Sequence, residues 1–163
     1  MSQEEHIELH IVRGMDDPYR TAVELLVEQM YEEEAAMGSL ARLVPEGGTM
    51  WVRSVVSVPD ALGRLVVCVL DGVVVGFARG TTGLLPAHEG GDLLGTITHV
   101  FVPVVHRRKG IAKALVNELG KWFHARRVLR TELRVVAGNT GGKDFWKAMG
   151  FVVMLHTLYR TDP

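Results

Sequence analysis

The most informative segment of the chain is Val102-Pro103-Val104-Val105-His106-Arg107-Arg108-Lys109-Gly110-Ile111-Ala112. An alternating strand, Thr96 to Val102, precedes it and is closed by Pro103. A helix follows from about Gly110 to Arg127, because apolar residues recur on one face at three- and four-residue spacing: Ile111, Leu115, Leu119, Trp122 and Phe123. A strand that ends in a basic, glycine-containing turn and starts a helix presents unpaired backbone N–H groups and the positive end of the helix dipole. The stretch therefore predicts an anion site of the phosphate-binding kind.

The segments before this stretch predict one opening strand, two helices and a hairpin. The strand is Ile7 to Val12, where apolar and polar residues alternate. In the hairpin, Asp71-Gly72 accepts the positive φ angles of a tight turn between two apolar strands. The predicted order is strand 7–12, a helix from Asp17-Pro18 to about Glu34, a loop over 36–48, a helix from Thr49 to before Pro59, strands 65–70 and 73–78, and a glycine-rich connection over 83–95.

The C-terminal part predicts a further strand, a short helix and a last strand. The strand runs from Glu132 to Val136, and the helix runs from Gly142 to Met149 and is ended by Gly150. Phe151 to Tyr159 is an apolar run that predicts the last strand of the sheet.

Composition limits the classes of function. The 163 residues suit a single domain, 1–163, with its own core, and the formal charge of −1 favours neither a nucleic-acid nor a membrane partner. Cys68 is the one cysteine, so no intrachain disulfide is possible, and with no leader-like segment we expect a cytoplasmic protein without a bound metal. Acidic residues concentrate in the first third and basic residues in the second half, which suggests a cationic and an anionic ligand at different regions.

Arg107-x-x-Gly110-x-Ala112 resembles the pyrophosphate signature of the GCN5-related N-acetyltransferase (GNAT) superfamily. The resemblance extends to Asn139 and to the aromatic ending Phe145-Trp146-Lys147-Ala148-Met149-Gly150-Phe151. It covers residues 64 to 155 well, and the N-terminal third only in element order. It implies an α/β (α+β) fold with a mixed sheet of about six to seven strands, about four helices and splayed central strands.

The resemblance implies acetyl-CoA as cosubstrate and a direct attack by a primary amine in a ternary complex. The pantetheine arm would lie along the splayed strand, and a backbone N–H there would polarise the thioester carbonyl. The residues implied to bind the cofactor are Val100, Phe101, Val102, Arg107, Arg108, Lys109, Gly110, Ile111, Ala112, Lys113, Asn139 and Trp146.

The sequence departs from the family at Trp146, where many members carry a tyrosine that protonates the leaving thiolate. An indole N–H is not an acid, so Trp146 is assigned to cofactor contact and the general acid stays open. His99 is the candidate base because an ordinary histidine titrates near neutrality; a packed structural histidine is the equal alternative. His156, on the predicted last strand, is a weaker candidate.

Glu33 and Glu34, in the acidic run that ends the first helix, are the candidate residues for a cationic acceptor. A solvated helix face is the alternative. Two other protein classes remain possible: a non-catalytic acyl-CoA-binding module, motivated by Trp146, and a dinucleotide-binding protein, which would need a glycine-rich turn after the first strand that is absent. The small-molecule or peptide acceptor and the choice between monomer and homodimer stay open.

Overall fold

The computed structural model describes residues 7–161 of the chain. Within them, one mixed sheet has its strands in the order β1-β2-β3-β4-β5, antiparallel except for the parallel pair β4 and β5. The strands are β1 Ile7–Val12, β2 Gly63–Leu70, β3 Val73–Leu84, β4 Leu93–Phe101 and β5 Arg130–Leu133. The α/β class is therefore confirmed, but with five strands among the described residues where six to seven were predicted.

In the part of the chain that the structure describes, four α-helices cover the two faces of the sheet. They are α1 Arg20–Ala36, α2 Gly47–Val56, α3 Ile111–Ala125 and α4 Thr140–Ala148. Leu65 and Val67 of β2 face α1 and α2, whereas Val66 and Cys68 face α3. Because both faces of the central strands are covered, these strands are apolar at almost every position and not only at alternate ones.

The predicted hairpin is confirmed, and its turn adopts the expected backbone. Asp71 and Gly72 have φ angles of 48° and 79°. Two consecutive positive φ angles belong to the tight turn whose twist matches that of the paired strands. The Asp-Gly dipeptide therefore sets the register of β2 against β3.

The predicted glycine-rich connection over 83–95 is wrong at both of its ends, because β3 continues to Leu84 and β4 begins at Leu93. Gly95, in this region, and Gly80, just before it on β3, serve close packing. A Cβ at Gly80 or at Gly95 would lie 3.0 Å from the Phe123 ring of α3. Glycine was read as a chain break where it allows the helix to approach the sheet.

The start of α2 is a similar correction, since Gly47 and Gly48 belong to the helix and not to the loop. A Cβ at Gly48 would lie 2.6 Å from the carbonyl oxygen of Glu24. The two glycines thus allow α2 to pack closely on α1, and helix packing overrides their weak helix propensity.

The predicted last strand, Phe151 to Tyr159, is wrong for the single chain. Residues 151–161 have no regular secondary structure. The strand predicted at 132–136 is also shifted, to Arg130–Leu133. An apolar run becomes a strand only where a neighbouring strand accepts its hydrogen bonds, and residues 151–161 pair with none.

Candidate active site at the splayed edge of β4

The strands β4 and β5 pair over only four positions and then separate. Their register runs from Leu94 opposite Arg130 to Ile97 opposite Leu133. β4 continues to Phe101, whereas the chain after Leu133 leaves the sheet as a loop. The β5-facing backbone groups of β4 beyond Ile97 therefore have no partner strand among the described residues, and an extended ligand can occupy that side.

A bulge in β4 lies where this separation begins. On β3, Arg79 is opposite His99 and the next residue, Gly80, is opposite Ile97, so Thr98 is the extra residue. A bulge of this kind re-aims backbone groups and side chains at a sheet edge. It places Thr98 and His99 directly after Ile97, at the start of the side of β4 that β5 leaves unpaired.

The N-terminus of α3 lies just beyond the end of β4 and is not capped by a side chain. Gly110 occupies the N-cap position in the left-handed region, with φ 79°. A Cβ there would meet no atom within 4 Å, so the space beside the N-cap residue is open. The turn at Gly110 and the uncapped start of α3, with exposed Arg108, Lys109 and Lys113 around them, form the cradle in which the sequence predicts an anion. Binding of an anion there stays a prediction.

The Arg107 side chain holds the cradle to the rest of the molecule. Its Nε donates to the carbonyl oxygen of Val102 at 2.7 Å, and its Nη2 donates to the carboxylate of Glu33 at the end of α1. The guanidinium carbon also lies 5.9 Å from the centre of the Phe101 ring. The Arg107 side chain therefore contacts the rest of the protein, while the Arg107 backbone lies in the loop that leads to α3.

His99 lies between the sheet and α2 and is held in its neutral form. Its ring packs edge-on against Trp51, with 5.0 Å between the centroids. Burial, followed by the positive charge of Arg79, lowers the pKa of His99 from 6.5 to about 4. Near neutral pH the imidazole is therefore uncharged.

The tautomer of His99 follows from its neighbours. The Thr98 hydroxyl donates to the carbonyl oxygen of Arg79 at 3.2 Å, and its oxygen lies 3.0 Å from Nδ1 of His99. With its one proton directed to Arg79, the hydroxyl can only accept from His99, which assigns the proton of the neutral ring to Nδ1 in this arrangement. Nε2 of His99 is then the unprotonated nitrogen, able to accept a hydrogen bond.

Asn139 and Trp146 both have structural contacts on the far side of the opening. The Asn139 side-chain oxygen accepts from the N–H of Gly142 at 2.8 Å and so caps α4. Trp146 packs edge-on between Phe145 and Phe151, with centroid distances of 4.9 and 5.3 Å. Their predicted contact with a cofactor stays a prediction.

The end of α1 lies across the mouth of the opening. Gly138, in the loop after β5, lies so close to the carbonyl of Met37 that a Cβ would not fit. Glu34 is half-buried, and burial raises its pKa. Burial and then the charge of Glu34 raise the pKa of Tyr31. Tyr31 lines an open groove of about 610 Å³ between α1 and residues 42–46, together with Glu28, Glu32, Ala35, Arg42, Leu43, Val44, Pro45 and Glu46.

Three residues near His99 were missed by reasoning from the sequence: Trp51, Arg79 and Thr98. Arg79 is the one that carried a signal, because it interrupts the apolar run of β3. Its Nη1 donates to the Thr98 hydroxyl at 3.3 Å, while its buried Nε has no hydrogen-bond partner in the described part of the chain. His156 is exposed in the 151–161 segment, away from these residues.

Neither a metal-ligand cluster nor a membrane-spanning helix occurs among the described residues. Among residues 7–161 no group of three or more His, Cys, Asp or Glu side chains is arranged to hold a metal ion. In the same range no helix has the length and apolar character needed to cross a bilayer.

Comparison with known proteins agrees with this geometry. Residues 22–151 match the sequence model of the Acetyltransferase (GNAT) family. The match covers most of the chain, and the protein belongs to this family. The predicted superfamily is thereby confirmed.

Solved structures show the same fold at low sequence identity. The aminoglycoside N-acetyltransferase AAC(6')-Iy, in complex with CoA, has 14% identity and a TM-score of 0.78, covering 99% of this chain and 98% of its own. A possible acetyltransferase from Clostridium difficile 630 has 19% identity and a TM-score of 0.74, with 98% and 99% covered. A ribosomal-protein-alanine N-acetyltransferase from Brucella melitensis biovar Abortus 2308 has 18% identity and a TM-score of 0.68, with 96% and 100% covered. A search of curated proteins found no match.

Proposed function

We propose that the protein transfers an acetyl group from acetyl-CoA to a primary amine of a small molecule or peptide, by direct attack in a ternary complex. The observation that carries the proposal is the continuity of two features. The unpaired side of β4 beyond Ile97 leads directly to the uncapped N-terminus of α3. An extended thioester with an anionic group at its far end matches that pair of features in shape and charge.

In this proposal the pyrophosphate of coenzyme A binds the N–H groups of Gly110, Ile111 and Ala112 at the start of α3. Arg108, Lys109 and Lys113 add positive charge around it. Arg107 acts by holding the loop to Val102 and Glu33. Since only backbone N–H groups and the helix dipole are needed for recognition, small residues at the turn are sufficient.

The pantetheine arm is proposed to extend along Val100 to Val102, making strand-like hydrogen bonds with the open side of β4. This arrangement brings the thioester towards the bulge at Thr98. A β4 backbone N–H would donate to the thioester carbonyl and stabilise negative charge as the amine attacks. Trp146 and Asn139, on α4 and its cap, would line the opposite side of the arm.

His99 is proposed to accept a hydrogen bond from the attacking amine, directly or through water. With a pKa of about 4 the ring is a weak base, but it is neutral and carries an unprotonated Nε2 throughout the physiological range. A neutral acceptor does not repel a cationic amine. Its role is to orient the amine and to take part in removing the proton, which then passes to solvent.

A cationic acceptor is proposed to enter past the end of α1. Glu33 is neutralised by Arg107, so Glu34 is the carboxylate of that pair left to attract a cation. The neighbouring groove is lined by three further carboxylates, Glu28, Glu32 and Glu46, against one guanidinium. That guanidinium, Arg42, donates to the carbonyls of Ser39 and Ala41. The excess negative charge favours an amine with several positive charges.

Thiol release from acetyl-CoA tests the proposal. The panel is a polyamine, an aminoglycoside, an amino acid, a peptide N-terminus and a lysine peptide, with acetyl-CoA alone as the blank. We expect amine-dependent release for at least one cationic acceptor, with the acetylated amine identified by mass spectrometry. Acetyl-CoA that binds without amine-dependent release for any acceptor would favour the non-catalytic acyl-CoA-binding module, and no binding of acetyl-CoA would refute both functions.

A further inference from the structure

Three arginine side chains gather around one carboxylate at the end of the sheet where β1 finishes and β2 begins. Arg13 directly follows β1, Arg64 is the second residue of β2, and Asp60 lies in the loop before β2. Arg64 donates to the Asp60 carboxylate from Nε at 3.0 Å and from Nη2 at 2.6 Å. Nη1 of Arg13 lies 3.8 Å from the same carboxylate. Arg126, the C-cap residue of α3, is the third arginine. The arginine cluster is defined as Arg13, Arg64, Arg126 and Asp60.

The buried ring of Trp122 places Arg126 beside this ion pair. The guanidinium carbons of Arg64 and Arg126 lie 5.3 and 5.9 Å from the centre of that one ring. The hydrogen bond from Arg64, and with it the charges of Arg64, Arg13 and Arg126, hold the pKa of Asp60 below its usual range, although burial opposes them. Guanidinium groups from three separate elements of the fold therefore act on one carboxylate.

The charges in the arginine cluster do not balance. Among residues 7–161, no carboxylate other than that of Asp60 lies within 4.0 Å of the guanidinium nitrogens of the three arginines. Arg126 is partly buried, and its Nε is shielded from solvent without a hydrogen-bond partner in that range. Three positive charges against one negative charge leave a net charge of +2. Since partly buried charges are ordinarily paired, this excess indicates an anion site.

A simpler reading of each arginine explains only part of the cluster. The C-terminal end of α3 carries partial negative charge, which accounts for a basic residue at Arg126. It does not account for Arg13 and Arg64, because these belong to the ends of two strands and are directed at Asp60. One arginine would satisfy that carboxylate, and Arg64 already does so with two hydrogen bonds. The two other arginines are the excess.

We propose that the arginine cluster binds a small ligand through a dianionic phosphate group, such as that of a phosphate monoester. Guanidinium groups offer paired N–H donors that match phosphate oxygens, and a dianion neutralises an excess of two positive charges. Solvent reaches the cluster, since the side chains of Arg13 and Asp60 are 63% and 43% accessible.

This site is separate from the proposed pyrophosphate cradle. The cradle lies at the N-terminus of α3 and the arginine cluster at its C-terminus, and the 15 residues of the helix place about 22 Å between them. One molecule therefore has room for coenzyme A and for the second anion at the same time.

NMR titration of the isotope-labelled, full-length protein with inorganic phosphate tests the proposal, with ionic strength held constant by sodium chloride. The side-chain Nε–H signals of Arg64 and Arg126 report on the cluster, and the backbone N–H signals of Gly110 and Ile111 report on the cradle. Phosphate in the cradle is therefore distinguished from phosphate at the cluster. We expect saturable shifts of both arginine signals, with inorganic phosphate and, in a second titration, with phenyl phosphate.

Variants with one charge removed test which side chains bind the phosphate. Arg126→Gln should weaken the binding measured at the Arg64 signal at least about tenfold. Arg53→Gln is the matched control and should stay within about twofold of wild type. Arg53 is an exposed arginine on α2 whose charge is not among those that act on Asp60. Asp60→Asn keeps an acceptor for Arg64 and removes the competing charge, so it should bind phosphate at least as tightly as wild type. Thermal unfolding checks that each variant is folded.

Each other outcome overturns the proposal. Arginine signals that do not shift, or that shift equally with chloride, would mean that the cluster has no phosphate site. Equal weakening by Arg53→Gln and Arg126→Gln would mean a diffuse effect of net charge. Loss of phosphate binding in Asp60→Asn would mean that the arginines serve the carboxylate and not a ligand. Binding of inorganic phosphate with exclusion of phenyl phosphate would rule out a phosphate monoester.

Discussion

Replacing Gly110 separates the charge of the proposed pyrophosphate site from its backbone shape. Gly110→Asp and Gly110→Asn are isosteric, and aspartate and asparagine are the L-residues that best tolerate the left-handed backbone that Gly110 adopts, with φ 79°. Space does not distinguish them either, because a Cβ at Gly110 meets nothing within 4 Å. The two variants therefore share their conformational cost and differ in one negative charge.

The size of the effect follows from the helix geometry. An anion bound to the first N–H groups of α3 lies within about one helical turn, roughly 6 Å, of a carboxylate at position 110. At an effective dielectric of about 40, each pair of unit charges at that distance costs about 1.4 kcal/mol, and a doubly charged pyrophosphate about 2.8 kcal/mol. This is about a 100-fold loss of affinity at low ionic strength, and screening reduces it to about tenfold at 0.1 M salt.

Calorimetric titration with acetyl-CoA, at low ionic strength and at 0.1 M salt, measures this difference. Circular dichroism and thermal unfolding check that both variants are folded. We expect Gly110→Asn to bind within a few-fold of wild type, and Gly110→Asp to bind much more weakly with a gap that narrows as salt is added. Equal affinities for the two variants, or a gap insensitive to salt, would refute the placement of the anion at α3.

Three further predictions concern His99, Trp146 and Leu119. Because the folded pKa of His99 is depressed to about 4 from 6.5, the unfolded chain binds the extra proton between these values, and stability falls as pH falls through that window. In urea titrations, His99→Gln should reduce the loss of unfolding free energy between pH 7 and pH 4.5 by on the order of 2 kcal/mol. Wild-type turnover should show no step near pH 6.5 from His99. An unchanged dependence of stability on pH would contradict the buried neutral ring. Trp146→Phe, which keeps the packing between Phe145 and Phe151, should retain measurable thiol release, and Trp146→Tyr should equal or exceed it; a thousandfold loss in Trp146→Phe, about 4 kcal/mol, is too large for a packing contact. Leu119→Ala, at a fully buried position on α3, should lower the free energy of unfolding by about 2–5 kcal/mol and the Tm by several degrees, and a loss under about 1 kcal/mol would mean that α3 does not pack as described.

Much of the fold was predictable because it rests on short-range rules. The Asp71-Gly72 hairpin and the amphipathic α3 were both predicted from neighbouring residues alone. The cradle at Gly110 was predicted in the same way, since a strand, a glycine turn and a helix start lie next to one another in the chain. The comparison with the GNAT family confirms the resemblance that this turn carried.

The strand ends were less predictable, because glycine has two meanings that the sequence does not distinguish. Gly80 and Gly95 lie inside strands beneath Phe123, and Gly48 lies inside a helix against the backbone of Glu24. In each case glycine removes a Cβ that would collide with a distant part of the chain. Local patterns carry no information about that distant neighbour, so Gly48 and Gly95 were interpreted as loop residues and the predicted strand stopped at residue 78, before Gly80.

In the candidate site, too, features set by neighbouring residues were predictable and features set by distant residues were not. From the sequence alone one segment is predicted to bind an anion, and the residues that could carry charge or a proton are known. The pairing of Arg107 with Glu33, 74 positions away, and the burial and Arg79 charge that keep His99 neutral become visible in the folded structure alone. A pKa or an ion pair depends on burial and on distances between residues far apart in the chain. Those quantities do not exist until the sheet and helices have packed.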